Sequence, residues 1–146
     1  MSRLTVLLIE DNPRDVRLTQ RAFVQTGLPH DLRVVRDGDE TLAYLQREGA
    51  YQDPSSAPRP DVILLDLNLP RMGGHELLQR IKQDPRFKQL PIIVLTTSGR
   101  SDDVRQAYEG GANAYLLKPV EFNRFMDVIE QLGKFWLDTV ELPPEP

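Results

Sequence analysis

Four consecutive apolar residues, Val62 to Leu65, run without a polar break into Asp66, and Leu67-Asn68-Leu69-Pro70-Arg71-Met72-Gly73 then carries the chain round a turn. A strand with one wet face alternates apolar and polar side chains, whereas an unbroken apolar run of this length suits a parallel strand covered on both faces. Parallel neighbours need crossover connections, usually helices, so this one run already implies an alternating chain. It also places Asp66 at the carboxyl end of a buried strand. There the loops of an open α/β sheet splay apart and leave a crevice for ligands.

The remaining segments fit that scheme. Thr5 to Ile9 is a second buried run, and it ends in Glu10-Asp11-Asn12-Pro13. Pro13 suits the first turn of a helix, whose apolar face of Val16, Ala22 and Phe23 stops at Gly27. Leu32 to Val35 reads as a short strand, Asp37-Gly38 as a turn, and residues 40–47 as a helix with Leu42 and Leu45 inward. Residues 48–60 hold three prolines and two serines and read as an exposed loop, long for a helix-to-strand link. Gly73-Gly74 opens a helix with Leu77, Leu78 and Ile81 on one face. Pro91 to Thr96 is the next strand, ending in the hydroxyls of Thr96, Thr97 and Ser98. Ser101 is placed to cap a helix with Asp102 and Asp103 in its first turn, and Gly110-Gly111 stops it. Ala114 to Leu117 is the last strand and ends in Lys118-Pro119. A final helix over 121–136 carries Phe122, Phe125, Met126, Ile129, Leu132, Phe135 and Trp136, and the acidic, proline-rich tail is predicted to be extended.

Five strands alternating with helices predict an α/β fold: a doubly wound, five-stranded parallel sheet of order 2-1-3-4-5. Glu10, Asp11, Asp66, Thr96 and Lys118 then meet at one rim. Residues 1–136 form one domain, and residues 137–146 a tail too short for an output domain. The net charge of −4 and pI near 5.2 argue against a nucleic-acid binder. With no cysteine, disulfides, thiolate metal sites and Cys nucleophiles are excluded. No apolar stretch is long enough to span a bilayer and the amino terminus lacks a signal-peptide layout, so the cytoplasm is the expected location.

Clustered carboxylates repel one another and must take up a proton or hold a cation. Oxygen donors without His or Cys select a hard divalent ion, and a partly hydrated Mg²⁺ fits two or three carboxylates. Such an ion would shield an incoming phosphoryl group from the acids, with Lys118 and Thr96 bonding its other oxygens. Asp66 would be the nucleophile and form an acyl phosphate.

The ordered set of the acid pair Glu10-Asp11, LLDLNLPRMGG, LTTS and GGANAYLLKP resembles the receiver domains of two-component response regulators, over nearly the whole chain from Thr5 to Trp136. The resemblance implies a flavodoxin-like receiver fold, Asp66 as phosphoacceptor, Asp11 as direct Mg²⁺ ligand, and Glu10 as a second acid holding the metal directly or through water. The backbone carbonyl of Asn68 completes the protein ligands. Thr96 is the switch hydroxyl, Tyr115 the aromatic that rotates inward behind it, and Lys118 the phosphate partner, oriented by a cis bond before Pro119. The side chains of Asn68 and Ser98 tune phosphate lifetime in this family. Thr97, where many members have alanine, could narrow access to Asp66. The long loop and the ending FWLDTVELP look most like small receiver-only regulators that partner phytochrome-type histidine kinases. Such a protein signals by conformation and is not an enzyme in the ordinary sense. The surplus apolar surface of the last helix suggests a homodimer through the fourth helix, fifth strand, fifth helix and tail.

Three other readings compete. A Mg²⁺-dependent aspartate-nucleophile phosphatase would want a general acid two residues after the nucleophile, where Asn68 stands. An FMN binder would need a phosphate-cradling loop after the first strand, where Glu10-Asp11 would repel phosphate. A receiver-like scaffold would use the surface alone. Apart from phosphorylation, Tyr115 reads equally as an ordinary core-edge aromatic. His30 and His75 show no ligand spacing and are assigned no chemistry.

Overall fold

In the computed structural model, which describes residues 3–144, five strands and five helices alternate along the chain. Strands β1 (Leu4–Ile9), β2 (His30–Val35), β3 (Val62–Leu65), β4 (Ile92–Thr96) and β5 (Ala114–Leu117) form one parallel sheet in the expected order 2-1-3-4-5. Helices α1 (Pro13–Thr26) and α5 (Phe122–Lys134) cover one face, and α2 (Gly38–Gln46), α3 (Gly74–Gln83) and α4 (Ser101–Glu109) the other.

Side-chain alternation divides the central strands between two cores. Ile63, Leu65, Ile92 and Val94 face α2 to α4, whereas Val62, Leu64, Ile93 and Leu95 face α1 and α5. All four residues of β3 are fully buried, the physical reason its sequence lacks polar alternation. Each such side chain contributes about 1.5–3 kcal/mol relative to exposure. The register then sets the site. Ile9 pairs with Leu65, so Glu10 and Asp66 leave the sheet at one level; β4 runs one residue further, to Thr96, opposite Leu117 and just before Lys118.

Three local expectations need correction. Helix α2 starts at Gly38 rather than at residue 40, because the Asp37 carboxylate accepts the Glu40 backbone N–H at 2.7 Å and caps it earlier. Residues 48–60 are largely exposed up to Ser55, as expected, but are not a plain loop throughout. They contain 3₁₀ turns at Gly49–Tyr51 and Pro54–Ser56, Ala57 is buried, and the Tyr44 hydroxyl donates to the Pro58 carbonyl at 2.7 Å. The tail does not turn extended after residue 136. A π-helical turn, Phe135–Thr139, continues α5 because Trp136 and Leu137 pack on the α1/α5 core, and extended backbone begins at Val140. Leu142 and Pro143 then lie near Pro60, Leu90 and Pro91, at the end of the sheet opposite Asp66. Among the described residues no helix is long and apolar enough to cross a membrane.

Candidate functional site

The turn that follows β3 is built around its own first residue. The Asp66 N–H donates to the Ile9 carbonyl at 3.1 Å, and its carboxylate accepts the backbone N–H of Asn68 at 3.0 Å. Helix α3 begins pressed against this turn. A Cβ on Gly74 would lie 2.5 Å from Leu67 Cα and 2.9 Å from the Asp66 carbonyl oxygen, so only glycine permits the approach. Arg71 holds a left-handed φ of 62°, and its guanidinium pairs with Asp37 at 2.6 Å across the β2–α2 junction. A non-glycine residue there costs on the order of 1 kcal/mol or more, which the surrounding contacts sustain.

Four side chains converge at the strand ends. Lys118 Nζ donates to Glu10 at 2.5 Å, to Asp66 at 2.9 Å and to Asp15 at 3.0 Å, which uses all three of its protons. Thr96 Oγ1 donates to the other Asp66 oxygen at 3.0 Å, and the Asn12 N–H to the free oxygen of Glu10 at 3.2 Å. Glu10 and Asp66 are almost wholly buried, at 2% and 7% exposure. Burial raises the Glu10 pKa from 4.5 to about 7; Lys118 opposes the shift and the charge of Asp66 adds to it. For Lys118, burial favours loss of the proton, but bonds to the Glu10 and Asp66 carboxylates outweigh it and raise the pKa above 10.5.

Asp66, Glu10, Thr96 and Lys118 thus meet as the sequence predicts. The side chains of Asp11 and Asn68 do not join that contact set, although the Asn68 backbone N–H bonds Asp66; both residues are exposed and line the cavity of about 650 Å³ above it. Asp15, in the first turn of α1, is an additional carboxylate at the rim, to which the sequence reading assigns no role, and it bonds Lys118 at 3.0 Å. Glu10, Asp15 and Asp66 offer oxygens all within 4.8 Å of one another. A signal existed, since Asp15 lies one helical turn beyond the acid pair, but its direction depends on how α1 rolls on the sheet. Tyr115 packs against the α2–α4 core, and its hydroxyl donates to the Ser98 carbonyl at 2.7 Å.

The cis bond expected before Pro119 is absent: every described peptide bond is trans, and Lys118 reaches its three carboxylates from that geometry. Ser101 does not cap α4. Arg100 holds the cap position without a side-chain bond, while the Ser98 hydroxyl accepts the Arg100 N–H at 3.4 Å and donates to Asp103 in the helix's first turn. His75 is not without a partner, because its Nε2 lies 3.2 Å from Asp103, a contact between α3 and α4 that no spacing within one segment encodes.

The donor set is three carboxylates with no imidazole or thiolate, which fits a hard divalent ion. Asp66 itself has two bonds on one oxygen and one on the other, so the orientation of its carboxylate is fixed.

The model of the response regulator receiver domain matches residues 6–130. The response regulator Rcp1 of Synechocystis sp. is 43% identical over 138 residues, covering 94% of this chain and 92% of that protein. The crystal structure of the phosphorylated cyanobacterial phytochrome response regulator RcpA superposes with a TM-score of 0.89 at 41% identity, covering 98% of this chain and 100% of that one. The Mn²⁺-bound form of Rcp1 superposes with a TM-score of 0.86 at 42% identity, covering 97% and 99%. The match runs from β1 into α5 and takes in every strand whose end contributes to the acidic rim, so this chain belongs to the response regulator receiver domain family.

Proposed function

We propose that this receiver takes a phosphoryl group onto Asp66 from the phosphohistidine of a sensor histidine kinase, with Mg²⁺ in the acidic pocket, and signals through the conformation that follows. The observation that carries the reading is the buried Asp66 carboxylate, held by Thr96, Lys118 and the Asn68 N–H and facing Glu10 and Asp15. In the transfer, an Asp66 oxygen bonds to phosphorus as the P–N bond of the phosphohistidine breaks, and the leaving imidazole takes up a proton. Mg²⁺, when bound, supplies positive charge to the phosphoryl oxygens. Glu10, Asp15 and Asp66 would hold it, together with Asp11 and the Asn68 carbonyl, which line the same cavity. Lys118 would bond one phosphoryl oxygen, and Thr96 another.

The protein assists its own phosphorylation without being a conventional enzyme. A phytochrome-type kinase is the donor we favour, supported by the 41% identity of this chain to RcpA, a cyanobacterial phytochrome response regulator. The acidic net charge supports a protein that contacts no nucleic acid, and we place it in the cytoplasm, away from the membrane. A homodimer through α4, β5, α5 and the tail is supported by Tyr108, Leu117 and Phe135, large apolar side chains exposed on these elements and on the turn after α5.

Intact mass after incubation with acetyl phosphate tests the reading. A single phosphoryl adduct is expected from wild type with Mg²⁺, none with chelator and none from Asp66→Asn. An adduct that persists in Asp66→Asn would move the acceptor elsewhere and overturn the assignment.

A further inference from the structure

The Tyr115 hydroxyl closes onto one particular acceptor, the carbonyl of Ser98, two residues beyond Thr96. That carbonyl belongs to the loop between β4 and α4. Its anchor is a chain of side-chain bonds crossing three elements. The Ser98 hydroxyl donates to one oxygen of Asp103, in the first turn of α4, and His75, in the first turn of α3, bonds the other oxygen at 3.2 Å. His75 Nδ1 is buried without a hydrogen-bond partner among the described residues, so the proton of the neutral ring resides on Nε2 and is donated to Asp103. Asp103 receives both bonds in its ionised form, and its pKa is held below 3.8 by the Ser98 hydroxyl first and His75 second.

The same bonds bear on the phosphoacceptor. Val94 and Tyr115 are register partners, which places the Tyr115 side chain on the face of β4 that also carries Thr96, two residues along. A ring fastened there borders the side into which Thr96 would withdraw from Asp66. We propose that His75, Asp103 and the Ser98 hydroxyl form a positioning device that presents the Ser98 carbonyl to Tyr115 and so keeps Thr96 turned onto Asp66. None of the three touches the acceptor. They act by setting the population of the arrangement in which the Thr96 hydroxyl is already in place. This inference rests on the phosphoacceptor reading above only for its kinetic consequence; the Tyr115 arrangement stands apart from it.

Two measurements decide it. In unphosphorylated protein carrying ¹³C-labelled tyrosine, His75→Ala and Asp103→Ala are expected to move the Tyr115 ring signals in the same direction. His75→Gln, which keeps an N–H donor of similar reach, is expected to leave them at wild-type positions. Unmoved ring signals in both alanine variants overturn the proposal. Acetyl phosphate labelling is then followed in wild-type and Tyr115→Phe backgrounds. His75→Ala should slow labelling roughly five-fold or more in the first, the lower end of measured coupling between sites, and add nothing in the second, where the hydroxyl is missing. Equal slowing in both backgrounds would also overturn it, because His75 would then act through general stability. If wild type accepts no phosphoryl group, the phosphoacceptor reading fails, and the ring signals still decide the positioning device.

Discussion

Glu10 is the residue whose chemistry is most displaced by its surroundings. Its pKa rises from 4.5 to about 7 because burial disfavours its charge, so between those values the folded protein binds more protons than the unfolded chain. Stability therefore falls as pH rises through that window, by on the order of 3 kcal/mol in full. The carboxylates of Asp31 and Asp103, held low by their partners, act below 3.8 and leave the window clear. In chelator, the melting temperature of wild type is expected to drop between pH 5 and pH 8, and Glu10→Gln should flatten the profile; parallel curves for the two would remove the assignment. Asp15 is the complementary case, a carboxylate that shares the Lys118 ammonium. Replacing it with asparagine should weaken Mg²⁺ binding about ten-fold, the scale of losing one partner near a metal. Calorimetric titration with Mg²⁺ checks this, and unchanged affinity would confine Asp15 to its bond with Lys118.

Among the elements, the start of α3 has the least freedom. Gly74→Ala drives a methyl into backbone atoms of Leu67 and Asp66, and neither can rotate away as a side chain would. The expected cost is about 1–3 kcal/mol, typical of overpacking, together with slower labelling of Asp66 because its turn must shift. Chemical denaturation gives the first and intact-mass kinetics the second; a variant with wild-type values in both would contradict the close approach. Strands were legible in advance because burial on both faces writes itself into consecutive residues, as in Val62 to Leu65. Helix ends were less so. Ser101 reads as a cap and Asp37 only as part of a turn, yet Asp37 makes the capping bond, while Ser98 and Asp103 tie the start of α4 together.

For the whole molecule, the unanswered surface is the face built by α4, β5 and α5. The two cores satisfy Phe125, Ile129 and Leu132, while Tyr108, Leu117 and Phe135 remain exposed. Covering such side chains in a stable pair requires burial on the order of 1,200–2,000 Å². Sedimentation of wild type at micromolar concentration is expected to give twice the chain mass. Leu117→Asp should return it to one chain without loss of the acetyl phosphate adduct. A wild-type mass of one chain, with and without a phosphate analogue, would exclude the dimer.

The order of strands, and with it the meeting of Glu10, Asp66, Thr96 and Lys118, followed from the sequence alone. Buried parallel strands are marked by local apolar runs, right-handed crossovers restrict their order, and a chemistry-bearing residue at each carboxyl end has one rim to occupy. The partners within that rim were decided by tertiary structure. Asp15 reaches Lys118 because of how α1 sits on the core, and His75 finds Asp103 because α3 and α4 lie side by side. The trans bond at Pro119 and the bond of the Tyr44 hydroxyl to the Pro58 carbonyl are of the same kind. Periodicity states which face of an element is buried; which side chain of a neighbour it then meets depends on packing distances and rotations that the two segments determine only together.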